Sequence, residues 1–139
     1  MTAQILHASC VAWQGRGVLI LGHSGAGKSA LALQLMAYGA DLVADDRTEL
    51  QVEADVLTAR PPTTIQGLIE ARGLGLLRVP FVPQAQIALV VDMDQTETHR
   101  LPPEREIILL GISCPLVLAV PMGHFPAAVL CYLKAVRFA

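Results

Sequence analysis

Asparagine is missing from all 139 residues. Its absence excludes the Asn-Lys-x-Asp element with which GTPases read guanine. Lysine is nearly as scarce: the basic residues are eight arginines plus Lys28 and Lys134. With 12 acidic residues the net charge is −2, which leaves no electrostatic footprint for nucleic acid. Cysteine is low as well. Cys10, Cys114 and Cys131 are unevenly spaced, fit neither a disulfide framework nor a zinc pattern, and suit a reducing compartment. No apolar run reaches the length of a membrane-spanning helix, and no basic stretch followed by an apolar core marks a secretory signal at the N-terminus. The Ser-Gly-Gly signature of transporter ATPases is missing too, and the length leaves no room for a separate nucleotide-reading domain. The expectation is one cytoplasmic domain over residues 1–139, without a nucleic-acid or membrane partner. Hydrophobic residues reach 53% and charged ones only 16%, so part of the apolar surface is expected to be hidden in a homo-oligomer.

Against those absences stands Gly22-His23-Ser24-Gly25-Ala26-Gly27-Lys28-Ser29. It has the phosphate-loop pattern of glycine, four residues, glycine, lysine and a hydroxyl residue, which arises by chance in about half a percent of chains this long. The apolar run Gly17 to Leu21 leads in as a strand, and the helix-periodic segment Ala30 to Tyr38 leads out. Backbone N–H groups of such a loop wrap phosphate oxygens, Lys28 neutralises the outer phosphates and the Ser29 hydroxyl binds Mg²⁺.

Upstream, Ile5 to Trp13 reads as a strand, with a turn at Gln14 to Gly17. A tight turn between two strands makes an antiparallel hairpin, because a parallel crossover needs a helix for which there is no room. Downstream, Gly39 is placed to stop the helix. Asp41 to Ala44 then forms a short strand ending in Asp45 and Asp46. Thr48 to Val52 alternates as a strand with Ala54 to Thr58 as its hairpin partner, and Thr63 or Thr64 caps a short helical turn. Later come strands at Ile87 to Asp92, Glu106 to Leu110 and Pro115 to Pro121, a polar surface excursion from Asp94 to Arg105, and a helix from Pro126 to Val136.

Side chains that could carry chemistry cluster around this frame. Asp45 and Asp46 would point opposite ways within a strand; at a strand end one can hold the metal while the other acts as base. An isolated Asp-Asp pair is more often a solvated turn, but its place after the strand following the loop helix favours function. Asp92, closing four apolar residues, competes for the metal. Strand alternation would put Glu70 and Arg72 on one face, reaching phosphate, metal or each other. His7 lies in an apolar strand, where packing is the commoner role. His23 and His124 are weaker candidates.

Leu6-His7, the strand from Gly15 to Ile20, the loop, Leu42 to Asp46 and Ile69 to Gly75 stand in an order and spacing that resemble the catalytic domain of bacterial HPr kinase/phosphorylase over roughly residues 5–77. The resemblance implies an α/β phosphate-loop domain like the nucleotide-binding core of phosphoenolpyruvate carboxykinase, with a mixed or antiparallel sheet and helices. It implies ATP- and Mg²⁺-dependent phosphorylation of a serine on the phosphocarrier HPr of the phosphotransferase system, with pyrophosphate as an alternative donor, reversal by phosphorolysis, and a hexamer. Asp45 would then be the general base, with His7 and Lys28 beside it. Gly22 to Ser29 and Arg72 would bind the nucleotide, while Ser29, Asp46 and Glu70 would serve the metal; Asp92 would be a structural strand end. The family's usual N-terminal domain has no counterpart, as in a short form made of the catalytic domain alone. Val120 to Pro126 stands where the family carries an arginine-bearing loop tied to phosphorolysis, so the kinase half of the name rests on more residues. A non-catalytic nucleotide sensor and a small-molecule kinase on the same fold are the competing readings.

Overall fold

The computed structural model describes residues 2–135 and 137. The N-terminal apolar run is not one strand. It divides into β1 (Thr2–Leu6) and β2 (Ala8–Trp13), and the chain changes neighbours at His7. Two bonds hold the break: the Ala8 N–H donates to the Asp46 carbonyl at 3.0 Å, and the Thr48 hydroxyl donates to the Ala8 carbonyl at 2.8 Å. The expected hairpin follows, β2 pairing antiparallel with β3 (Arg16–Leu21) across Gln14 and Gly15 at φ 48° and 80°. Two successive left-handed residues are what a two-residue hairpin turn requires.

Helix α1 (Lys28–Ala37) ends where glycine was expected to end it. Gly39 has φ 111°, its N–H donates to the Met36 carbonyl, and the Ala40 N–H reaches the Leu35 carbonyl, each at 3.0 Å. This pair of bonds satisfies carbonyls that the helix end would leave open. Strand β4 (Asp41–Ala44) lies beside β2, and the hairpin of β5 (Thr48–Glu53) and β6 (Val56–Arg60) follows. Its second strand starts at Val56 rather than Ala54, because Ala54 and Asp55 are themselves the left-handed turn. A helical turn at Thr63–Ile65 leads to a separate hairpin, β7 (Leu68–Ala71) with β8 (Gly75–Arg78).

The long strand β9 (Ala85–Thr96) organises the remainder. It pairs parallel with β3 along one edge, and on the other meets β6 near its start and β11 (Ile112–Ala119), also parallel, near its end. Strand β10 (Glu106–Leu109) closes onto β11. Two expectations shift here. β9 runs four residues past Asp92, so Asp94 belongs to a strand and the surface excursion shrinks to residues 97–105; β11 begins before Pro115 because β10 pairs with it from Ile112. Helix α2 (Phe125–Lys134) carries Pro126 in its first turn, and the expected end at Val136 lies outside the described residues.

The result is an α/β fold with a mixed sheet ordered β1-β5-β6-β9-β3-β2-β4. Its central strands are buried on both faces, as continuous apolar runs in β2, β3 and β9 require. On one face Val18, Ile20, Leu89 and Val91 pack under Leu31 and Leu35 of α1 and Val129 and Leu133 of α2. On the other, Leu19 and Val90 meet Leu50 of β5 and Leu57 of β6, so the β5–β6 limb curls over that face. Both helices therefore lie on one side of the sheet, and the phosphate-loop sequence lies at the C-terminal end of β3, where that strand feeds α1.

Candidate active site

Three glycines in left-handed or otherwise positive-φ backbone shape the loop after β3: Gly22 at 156°, Gly25 at 90° and Gly27 at 99°. At Gly22 a Cβ would sit 2.9 Å from Ala26 Cβ and 3.1 Å from Met93 Cβ, so only glycine lets the loop lie against the end of β9. α1 starts at Lys28 without a side-chain cap or an acidic residue in its first turn, so its positive end stays free for an anion. Lys28 is buried, and its ammonium donates to the His23 carbonyl at 3.0 Å. The His23 N–H donates to both carboxylate oxygens of Asp94, at 3.0 and 3.2 Å, and its ring nitrogen Nδ1 touches the same carboxylate. These bonds, led by the backbone one, hold the Asp94 carboxyl below its ordinary range.

The acidic pair divides sharply. Asp45 is 5% exposed and its two oxygens accept three hydrogen bonds. Oδ1 receives the hydroxyls of Ser9 and Ser29, each at 2.7 Å, and Oδ2 receives the Glu70 N–H at 2.9 Å. Asp46 turns away because its backbone is left-handed, φ 68°. Its side chain is 63% exposed, and Oδ1 lies 2.9 Å from His7 Nε2. The strand break at His7 is what frees that imidazole: inside a continuous strand it would be packed, whereas here it faces Asp46.

A cavity of about 290 Å³ joins these parts. His7, Asp46, Glu70 and Arg72 line it opposite Ser24, Gly25, Gly27, Lys28 and Ser29. Gly22, His23 and Ala26 of the same loop are not among the residues that line it. Arg72 is not on a strand face, since β7 ends at Ala71; the turn through Gly73, φ 92°, still leaves it on the cavity wall with Glu70. A larger cavity, about 620 Å³, lies between residues 96–105, β11 and α2 and contains none of the loop residues. His124 lines that second cavity, and Asp92 spends its oxygens on the Asp94 N–H at 2.8 Å and the Gln95 side-chain amide at 2.7 Å.

Two functional-site neighbours were not singled out from sequence. Ser9 is wholly buried, yet donates to Asp45 and accepts the Asp46 N–H at 3.4 Å; a hydroxyl inside the apolar run Ala8 to Ala12 was its signal. Asp94 had only its spacing two residues beyond Asp92. Among the described residues no three His, Cys, Asp or Glu side chains converge as a metal cage. The oxygens of Ser29 and Glu70 on the cavity wall suit Mg²⁺ instead, a hard cation that takes one or two protein oxygens together with substrate phosphates and waters.

This arrangement can cradle a polyphosphate, neutralise it and offer an exposed carboxylate–imidazole pair to an acceptor beside it. The family model described as the HPr Serine kinase C-terminal domain matches residues 1–106. The HPr kinase/phosphorylase of Azoarcus sp. (strain BH72) is 38% identical over 140 residues, covering 90% of this chain and 45% of that protein. The same-named protein of Aromatoleum aromaticum is 40% identical over 114 residues, covering 73% of this chain and 36% of its own length. The chain thus spans less than half the length of these curated relatives. The structure of the Hpr(Ser) kinase/phosphatase from Coxiella burnetii superposes with a TM-score of 0.79 at 29% identity, covering 94% of both chains. The phosphate loop, acidic pair and Glu-x-Arg hairpin of this chain all fall within the residues matched by the family model, and the chain belongs to the HPr serine kinase C-terminal domain family.

Proposed function

We propose that this chain is a catalytic domain that transfers the terminal phosphoryl group of ATP to a serine hydroxyl of an HPr-like phosphocarrier protein. The reading is supported by the names of the relatives and by one geometric observation: the His7–Asp46 pair and the phosphate loop share a cavity. Burial supports exchanging the two aspartate roles that the resemblance implied. Asp45, enclosed and holding three donors, is not among the residues lining the cavity that an incoming hydroxyl would enter; Asp46, exposed in the cavity, takes no hydrogen bond on Oδ2 among the described residues. Asp46 therefore acts as general base and His7 holds its carboxylate in place.

In the transfer, the seryl O–H bond breaks as its oxygen bonds to phosphorus. The proton passes to Asp46, and the bond to the bridging oxygen breaks to release ADP. Lys28 and the loop N–H groups hold the phosphates, and Arg72 offers its guanidinium to the transferring group. Ser29 and Glu70 would hold Mg²⁺ or its waters, and Asp45 fixes the Ser29 hydroxyl for that task. The chemistry that Mg²⁺ supplies when bound is neutralisation of phosphate charge. The same cradle accommodates pyrophosphate, so the reverse reaction, attack of inorganic phosphate on phosphoserine, uses Asp46 as the acid.

A homo-oligomer, hexameric as the family resemblance implies, and a cytoplasmic location complete the proposal. No helix among the described residues is long and apolar enough to cross a membrane. The test is incubation of purified protein with ATP, Mg²⁺ and HPr, read as phosphoserine on HPr by mass spectrometry. Transfer that disappears in Asp46→Asn is the expected result. Tight ATP binding without transfer would replace the reading with a nucleotide sensor, and transfer to a metabolite in preference to HPr with a small-molecule kinase.

A further inference from the structure

The phosphate loop is clamped by a carboxylate that lies outside its own sequence. Parallel pairing of β3 with β9 sets Leu21 opposite Asp92, so two residues further on the strand end brings Asp94 to His23. The backbone of His23 is then held from both sides. Its N–H donates to Asp94, while its carbonyl accepts the Ala26 N–H and the Lys28 ammonium, both at 3.0 Å. Asp94 is itself fixed, its own N–H donating to Asp92 at 2.8 Å. Met93 forms the floor between them, 3.1 Å from where a Cβ on Gly22 would stand and 3.6 Å from one on Gly27.

We infer that Asp94 is a positioning residue for phosphate binding: it fixes His23, and through the His23 carbonyl it fixes the place from which Lys28 meets the phosphate. The N–H of His23 is spent on Asp94 and His23 does not line the cavity, so this residue serves as the loop's anchor while Ser24, Gly25, Gly27 and Lys28 line the space for the ligand. A loop already held in its binding shape loses less order when the anion arrives, which raises affinity without a new contact to it. The effect on nucleotide affinity rests on the proposed kinase function, whereas the order of the free loop does not.

Hydrogen exchange of the ligand-free protein and calorimetry with Mg²⁺–ATP separate the two. In Asp94→Ala the amides of residues 23–27 should exchange at least about tenfold faster, with β3 and α1 unchanged, and the ATP Kd should rise about tenfold. Asp94→Asn keeps an oxygen for the His23 N–H and should recover most of both effects. Unchanged loop exchange in Asp94→Ala, or acceleration spread evenly over the chain, overturns the inference. Faster loop exchange with an unaltered Kd overturns it equally. If the unsubstituted protein binds no nucleotide, the kinase reading falls while the exchange data still decide whether Asp94 orders the loop.

Discussion

Asp45 and Asp46 are adjacent and chemically identical, yet one is enclosed by donors and the other faces open cavity. Both lie past the end of β4, and the left-handed backbone of Asp46 turns its side chain away from that of Asp45. Asp46→Asn removes the proposed proton acceptor and is expected to lower kcat by about 10²–10⁴-fold while nucleotide affinity, measured by calorimetry, stays within a few-fold. Asp45→Asn should act differently, raising the Mg²⁺ concentration needed for half-maximal rate, because the amide nitrogen cannot accept, so either the serine hydroxyls or the Glu70 N–H lose their acceptor. Ser9→Ala takes a buried donor from Asp45 and leaves the Asp46 N–H without that oxygen, so stability in a urea titration should fall by about 1–2 kcal/mol. The types and order of the site residues were legible in the sequence. The division of labour between the two aspartates was not, because it depends on Ser9 and the Glu70 N–H, which reach Asp45 from other strands.

Among elements, the loop and the end of β9 behave as one unit. Gly22→Ala places a methyl group in the space of Ala26 and Met93, so the loop must lift; nucleotide binding should drop by at least about tenfold while the circular dichroism spectrum is kept. The other end of the excursion is pinned electrostatically. Glu97 lies just past β9, its N–H donates to the Ala119 carbonyl at 2.9 Å, and its carboxylate receives Arg105 at 3.0 and 3.1 Å. The Arg105 bonds, followed by those from His99, lower its carboxyl to about 2 from an ordinary 4.5. The stabilisation is therefore complete above the ordinary value and is lost as the pH falls through about 2. Glu97→Gln should flatten this acid limb in a plot of urea midpoint against pH; a limb of unchanged slope would assign the acid sensitivity elsewhere. The hairpins, the helix and its glycine stop were readable because turn chemistry and periodicity are local. The length of β9 was not, since Asp92 and Asp94 look like the start of a polar loop until β3 and β11 supply its partners.

For the molecule as a whole, the apolar composition is divided between two cores separated by the sheet. Leu35 belongs to the helix-covered core and Leu50 to the one beneath β5 and β6. Each changed to Ala should cost about 3 kcal/mol in denaturant unfolding, and because they share no buried neighbours the double variant should show the sum. The sequence by itself determined the phosphate loop, because its eight contiguous residues carry both the glycine conformations and the chemistry. It also determined the strand-loop-helix frame and the set of residues that face the loop. Tertiary structure alone decided which aspartate is enclosed, that His7 stands at a strand break and that Asp94 grips the loop. The physical reason is distance along the chain: Ser9 and Asp45 are 36 residues apart, and His23 and Asp94 are 71 apart. Only the register of β2, β3, β4 and β9 brings those pairs into contact.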